Sequence, residues 1–233
     1  MSPRPKQNDQ HPDLQTAIKE TAWQQIAGHG APSLSLRAIA RELGITAPAI
    51  YNYFPRRDDL VTALIVDAFN SLGESQKTSI QELPENELAA RLTWLGLAYR
   101  EWALAHPQRY LLIFGTPIPG YEAPADITVP AASWSLVPLI ETLQAISTAG
   151  RLRLDRPAPL TPELRSMLEA WSQFTGGMNP EVLYSALVIW SRVHGLVSLE
   201  LGNQMPSFIT DPGEIYRREI LSLVSELVIN LVT

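Results

Sequence analysis

Apolar residues recur at helical spacing along almost the whole chain, and no stretch alternates apolar with polar residues as a half-buried strand would. Leu14, Ile18, Ala22 and Ile26 fall every four residues. Leu36, Ile39, Ala40 and Leu43 follow the i, i+3, i+4, i+7 pattern. Val61, Ile65, Ala68 and Leu72 repeat it, and so do Leu88, Leu92, Leu95, Tyr99 and Trp102. This pattern predicts an all-α fold of roughly nine or ten helices without internal repeats. Its breaks are local. Gly28 and Gly30 end the first helix (Leu14–Gly28). Ser35 can cap a second, and Gly44 stands where a left-handed turn residue belongs. Thr46 can cap a third, very short helix with Pro48 in its first turn, and Phe54-Pro55 breaks it. A fourth is expected from about Asp58 to Gln76, its acidic start matching the positive end of the helix dipole. His106-Pro107 interrupts the next, and a stub over 108–114 follows. Residues 115–130, with four prolines and two glycines, are the one long loop expected. Further helices are expected near 131–149, 162–175, 180–202 and 212–232, with Pro138 loosening the first of these.

The 233 residues suit one or two domains with a buried core. Cysteine is absent, which excludes disulfides and thiolate-bound metals and fits a reducing compartment. Unbroken apolar runs are far shorter than the roughly 18 residues of a membrane span. The N-terminal segment lacks the apolar core of a secretory signal. A cytoplasmic protein with no membrane partner is the expectation. Net charge is −6, but it is uneven. The first 60 residues hold seven basic and six acidic residues, the remainder eleven and eighteen. A small nucleic-acid module on an acidic body shows this asymmetry.

A short helix, a Gly-containing turn and a second short helix follow the helix-turn-helix plan. Leu36, Ile39, Ala40, Leu43, Ile45, Ile50 and Phe54 would supply the inner faces. The outer face of the third helix, entering a major groove about 12 Å wide, needs small or hydrogen-bonding residues near its N-terminus. Thr46, Ala47, Pro48 and Ala49 meet that need. Tyr51, Arg56 and Arg57 would bind backbone phosphates, which sets register and affinity.

With those residues in view, 12–60 resemble the DNA-binding domain of the TetR family of bacterial repressors. The match runs through Leu36-Arg37-Ala38-Ile39-Ala40, Leu43-Gly44-Ile45, Ala49-Ile50-Tyr51-Asn52-Tyr53-Phe54-Pro55 and Asp59-Leu60. The resemblance implies DNA contacts from Arg37, Thr46, Ala47, Pro48, Ala49, Tyr51, Asn52, Tyr53, Arg56 and Arg57. It also implies a homodimer that reads a palindromic operator and is released by a small, largely apolar effector. The remainder resembles the TetR subgroup named for a Trp…His-Gly signature, here Trp190 to His194-Gly195, together with the stretch 110–121. The resulting division is a basic arm over 1–11, the helix-turn-helix domain over 12–60, a connecting helix and linker over 61–84, and a ligand-binding and dimerisation domain over 85–233.

Trp94, Tyr99, Trp102, Phe114, Trp134, Trp171, Phe174, Trp190 and His194 are the candidate ligand contacts, and the aromatic ones can equally be core packing. His194 shares a helix face with Trp190. It is either a polar contact in the pocket or a core histidine bonded to a neighbour, and Gly195 would let another helix approach closely. The helices near 180–202 and 212–232 are apolar over a wide arc, as in a two-fold four-helix dimer interface. Arg4 and Lys6 either reach the DNA or stay solvated. The four histidines show no metal-ligand spacing, and no nucleophile elbow, Walker loop or dinucleotide fingerprint occurs. Catalytic residues, metal and cofactor are therefore expected to be none. A small all-α enzyme or ligand carrier is the alternative.

Overall fold

The computed structural model describes residues 11–153, 159–173 and 175–229, with side chains from Leu14 onward. The arm with Arg4 and Lys6 and the aromatic Phe174 lie outside the described residues. The architecture is all-α. The helices are α1 (His11–His29), α2 (Leu36–Glu42), α3 (Ala47–Tyr51), α4 (Arg57–Ser79) and α5 (Leu88–Ala105). They continue with α6 (Pro107–Phe114), α7 (Ala125–Thr148), α8 (Pro162–Ser172), α9 (Pro180–Leu201) and α10 (Pro212–Leu227), and a 3-10 turn, Ala31–Ser33, follows α1. Among the described residues the only β pairing is one antiparallel bridge, Leu152 to Val228.

The chain forms two compact units, Met1–Ala68 with Gln108–Thr128, and Phe69–Pro107 with Val129–Thr233. The first unit therefore includes a segment, Gln108–Thr128, that the sequence division assigned to the C-terminal domain. Its core is built from Ile18, Ala22, Ile39, Ile50, Leu60 and Leu64, all without solvent exposure. Ser35 accepts a hydrogen bond from the Ala38 N–H and so starts α2 as its sequence predicts. Gly44 turns the chain with φ at 65°, a conformation that a Cβ would strain. Pro48 lies in the first turn of α3, where no helical donor is lost. Thr46 occupies the cap position of α3 but its side chain makes no capping bond, contrary to expectation; the Ala49 N–H is bonded to the Thr46 carbonyl instead. Within the same unit the Arg109 guanidinium lies 5.1 Å from the Trp23 ring centroid, and the Tyr121 and Thr62 hydroxyls are 2.9 Å apart.

The second unit is a helical bundle in which α5, α9 and α10 pack on one another. The α5 stripe Leu88, Leu92, Leu95, Tyr99 and Trp102 is buried as its spacing predicts. At Gly96 the Ile220 side chain fills the space a Cβ would need, and the Tyr216 hydroxyl donates to the Gly96 carbonyl at 2.6 Å. Arg100 joins Glu200 through two hydrogen bonds, one of 2.8 Å from Nε, and its guanidinium lies 5.9 Å from the Tyr216 ring centroid. The neighbouring carboxylate raises the Arg100 pKa above its ordinary value.

Three helix boundaries differ from expectation. The predicted loop over 115–130 is shorter, because α7 begins at Ala125. The Pro124 carbonyl there accepts from the Ile127 and Thr128 N–H groups and from the Thr128 hydroxyl. The helix then continues through both Pro130 and Pro138. Near Pro138, whose missing N–H removes a helical bond, Gln76 Nε2 donates to the Ser135 carbonyl and the Thr142 hydroxyl to that of Pro138, both at 2.8 Å. α8 stops at Ser172. α10 stops at Leu227, short of 232, because the chain turns extended and pairs with 151–153: Arg153 N–H bonds the Leu227 carbonyl and Ile229 N–H that of Arg151. α9 is long and apolar enough to cross a membrane by length and composition. Its Val182, Leu183, Ala186, Ile189, Val193 and Val197 are buried within the second unit.

Candidate nucleic-acid interface and ligand cavity

In the first unit α3 presents two unlike faces. Ile50 is 0% exposed and Phe54 is buried beside it. Thr46, Ala47, Pro48, Tyr51 and Asn52 are exposed, while Ala49 and Tyr53 are half-buried. Five residues thus carry one apolar anchor inward and a row of small and hydroxylated groups outward, a surface that fits a base-lined groove. Arg37 is exposed on α2. Arg41, one turn later and also exposed, adds a second cation to that helix. Its i+4 spacing from Arg37 is the sequence signal that places it on the same face.

The two arginines after Pro55 separate. Arg56 is exposed and paired with Asp59 at 2.7 Å, while its N–H is capped by the same carboxylate at 2.9 Å. The Arg56 hydrogen bond holds the Asp59 carboxyl below its ordinary range. Arg57 does not face outward as expected. Its Nε donates to the Leu34 carbonyl at 3.1 Å, and its Nη2 to the carbonyls of Ala31 at 3.0 Å and Pro32 at 3.1 Å. The side chain is 29% exposed. The carbonyls of a 3-10 turn have few local donors, and a guanidinium with five N–H groups satisfies several at once. Arg57 ties the start of α4 to the connection between α1 and α2.

In the second unit a small cavity of about 30 Å³ lies between α5, α7, α9 and α10. Leu92, Leu95, Tyr99, Leu139, Ile189, Trp190, Val193, Ile220 and Leu223 line it, with Gln76 contributing an amide. Behind the lining residue Trp190, His194 stacks on its ring, centroids 4.9 Å apart at 27°. Its Nδ1 is 3.0 Å from the Tyr99 hydroxyl and its Nε2 is 3.4 Å from that of Ser198. Burial pushes its pKa below the ordinary 6.5. Both ring nitrogens therefore face neighbouring hydroxyls, as in the core-histidine alternative, and the ring meets the cavity only through Tyr99 and Trp190, which line it.

The structure divides the aromatic candidates. Tyr99 and Trp190 line the cavity. Trp102 is buried but sends its Nε1 to the Ser71 hydroxyl at 3.0 Å and is not part of the lining. Trp94 is 46% exposed, and Trp171 is half-buried outside the lining. Phe114 belongs to the first unit, stacked edge-on with Tyr110. Trp134 is 39% exposed and lines a separate groove on the second unit. At Gly195 nothing among the described residues lies within 4 Å of where a Cβ would stand, so no described helix of this chain makes the close approach expected there.

Known proteins share both halves. Residues 18–64 match the family described as bacterial regulatory proteins, tetR family, and residues 92–223 match the tetracyclin repressor-like C-terminal domain. The HTH-type transcriptional regulator Rv1816 of Mycobacterium tuberculosis is 31% identical over 226 residues, which cover 95% of each chain. The crystal structure of the regulatory protein SCO4313 aligns with a TM-score of 0.74 at 36% identity, covering 91% of this chain and 96% of that one. A protein of unknown function from Rhodococcus sp. RHA1 shares the fold with a TM-score of 0.72 at 22% identity, over 96% of this chain and 100% of that one. From these matches over nearly its whole length, the chain belongs to the TetR family of bacterial regulatory proteins and is a non-catalytic, DNA-binding regulator.

Proposed function

We propose that this protein is a repressor that binds a palindromic operator as a homodimer and is released by a small, largely apolar effector, in the TetR subgroup with the Trp…His-Gly signature. It acts in the cytoplasm. The observation that carries the reading is the two-faced α3: Ile50 seated in the core and Thr46, Ala47, Pro48, Tyr51 and Asn52 turned to solvent. In this reading Thr46 to Ala49 read base edges. Tyr51, Asn52, Tyr53, Arg56, Arg37 and Arg41 contact phosphates, and Arg57 positions α4 rather than touching DNA.

Dimerisation runs through α9 and α10. Leu199 is exposed on α9 and Leu221, 61% exposed, on α10, and Gly195 faces open space. A partner's matching helices would cover this apolar area, and two recognition helices would then address half-sites about 34–36 Å apart. The effector reading rests on the apolar cavity beside Trp190 and His194. At about 30 Å³ it is far below the roughly 300 Å³ of a typical ligand pocket. An effector would therefore stabilise a more open arrangement of α5, α7, α9 and α10, and its binding energy would shift the population away from the DNA-binding state.

The test is an operator selection from random duplexes, followed by gel shifts across a salt series. A palindromic consensus is expected, with affinity falling as log salt rises by about 0.9 per phosphate contact. Failure to enrich any sequence, or enrichment of a site without two-fold symmetry, would overturn the reading.

A further inference from the structure

The second unit carries a groove of about 470 Å³, separate from the internal cavity and within the size range of small-molecule sites. One wall is a face of α7, where Trp134, Pro138 and Glu141 fall at i, i+4 and i+7. The rest of the lining includes Lys77 from the last turn of α4 and Arg91 from α5. The Trp134 ring is seated on Gly73, at a place where any Cβ would overlap it. The ring is thereby held firmly while 39% of the residue stays open.

The charged groups of the groove are not paired with one another, although Arg91 is partly engaged by backbone carbonyls. Arg91 Nη1 donates to the carbonyls of Ile80 and Leu83, both at 3.1 Å, which fixes the guanidinium in place. Neither Lys77, Arg91, Glu85 nor Glu141 forms an ion pair among the described residues. Opposite charges thus line one depression without meeting, with an aromatic face available. A molecule carrying both signs at its two ends would satisfy both kinds of charge at once. No residue of α9 or α10 lines the groove, so its lining is distinct from the helices assigned to dimerisation.

We propose that this groove binds a small amphoteric aromatic compound, with its ring on Trp134, its carboxylate toward Lys77 and Arg91, and its ammonium toward Glu141. Ring stacking and cation attraction to the indole face favour the ammonium end near Trp134.

The probe is 4-(aminomethyl)benzoate, titrated calorimetrically into the full-length protein at low salt and pH 7, with benzoate and benzylamine as single-charge controls. The expected result is saturable binding of one probe per chain, with each control weaker by about fivefold, the worth of one partly exposed ion pair. Lys77→Gln and Glu141→Gln are exposed changes that keep the fold, checked by an unchanged melting curve, and each should weaken the probe by about fivefold. Probe quenching of tryptophan fluorescence should disappear in Trp134→Phe. Absence of saturable heat at about 10 mM probe, roughly the weakest millimolar binding such a site would show, would overturn the proposal. So would controls that bind as tightly as the probe, or charge variants that bind like wild type. The titration contains no DNA, so its failure leaves the repressor reading untouched, and failure of the operator selection leaves this site untouched.

Discussion

Replacing Arg57 by alanine removes three hydrogen bonds that hold the start of α4 to the α1–α2 connection. A hydrogen bond from a charged donor contributes about 1.5–3 kcal/mol when buried and less where water competes. Pro32 is exposed and the arginine itself is 29% exposed, so water replaces part of the loss there. Leu34 is buried and its carbonyl loses the Arg57 donor. The Asp58 contact, at 3.7 Å on a half-exposed pair, adds little. The expected loss is about 2 kcal/mol. It is read from urea unfolding at fixed protein concentration, since a dimer's stability depends on concentration. The midpoint should fall with the slope unchanged, and Arg57→Lys should recover at most part of the difference, because an ammonium cannot span three carbonyls. A variant that unfolds at the wild-type midpoint, yet loses operator affinity and flattens the salt dependence by about one phosphate, would show that the guanidinium serves DNA and not the chain.

Tyr51→Ala should leave the unfolding midpoint within about 0.5 kcal/mol of wild type and weaken operator binding about tenfold, measured by gel shift. Glu200→Gln should destabilise by about 2 kcal/mol, because Arg100 keeps its charge in a mostly buried place; an Arg100→Met, Glu200→Leu double variant should recover most of it in the same denaturation assay. Gly96→Ala should cost about 1–3 kcal/mol through overlap with Ile220, and adding Ile220→Val should return part of that, a non-additive pair. Burial keeps His194 below 6.5, so as the pH falls the unfolded chain takes up the proton before the folded one. Its stabilising contribution is present above that pH and drains away as the pH falls through it toward the folded value. The slope stays below the limiting value of about 1.4 kcal/mol per pH unit because the ring is half-exposed. His194→Gln should flatten the stability curve between pH 7 and 5, and an unchanged slope would refute the assignment.

The helix-turn-helix was legible because its signals act over a few residues. The Ser35 cap, Gly44 in the left-handed turn and Pro48 in a first turn each need only neighbouring backbone, and the inward positions of Ile39 and Ile50 follow from the period of a single helix. The α5 stripe was legible for the same reason. Arg57 was not, because its partners are carbonyls 23 to 26 positions away, in a turn whose placement depends on how α1 and α4 pack. The early start of α7 was obscured by two prolines that this helix tolerates.

The sequence by itself determined where most helices begin and end to within about a turn, the start of α7 and the end of α10 excepted, that strands are absent from the expected fold, and which short helix turns a small, hydroxylated face outward. Only the tertiary structure decided which aromatics share a cavity: Tyr99 and Trp190 do, while Trp94 and Trp134 reach solvent and Phe114 sits in the other unit. It also decided that, among the described residues, Gly195 meets no helix and four charges share a groove without pairing. Periodicity tells which residues lie on one side of a helix. The identity of what faces that side is set by packing between segments far apart along the chain, and no local pattern encodes it.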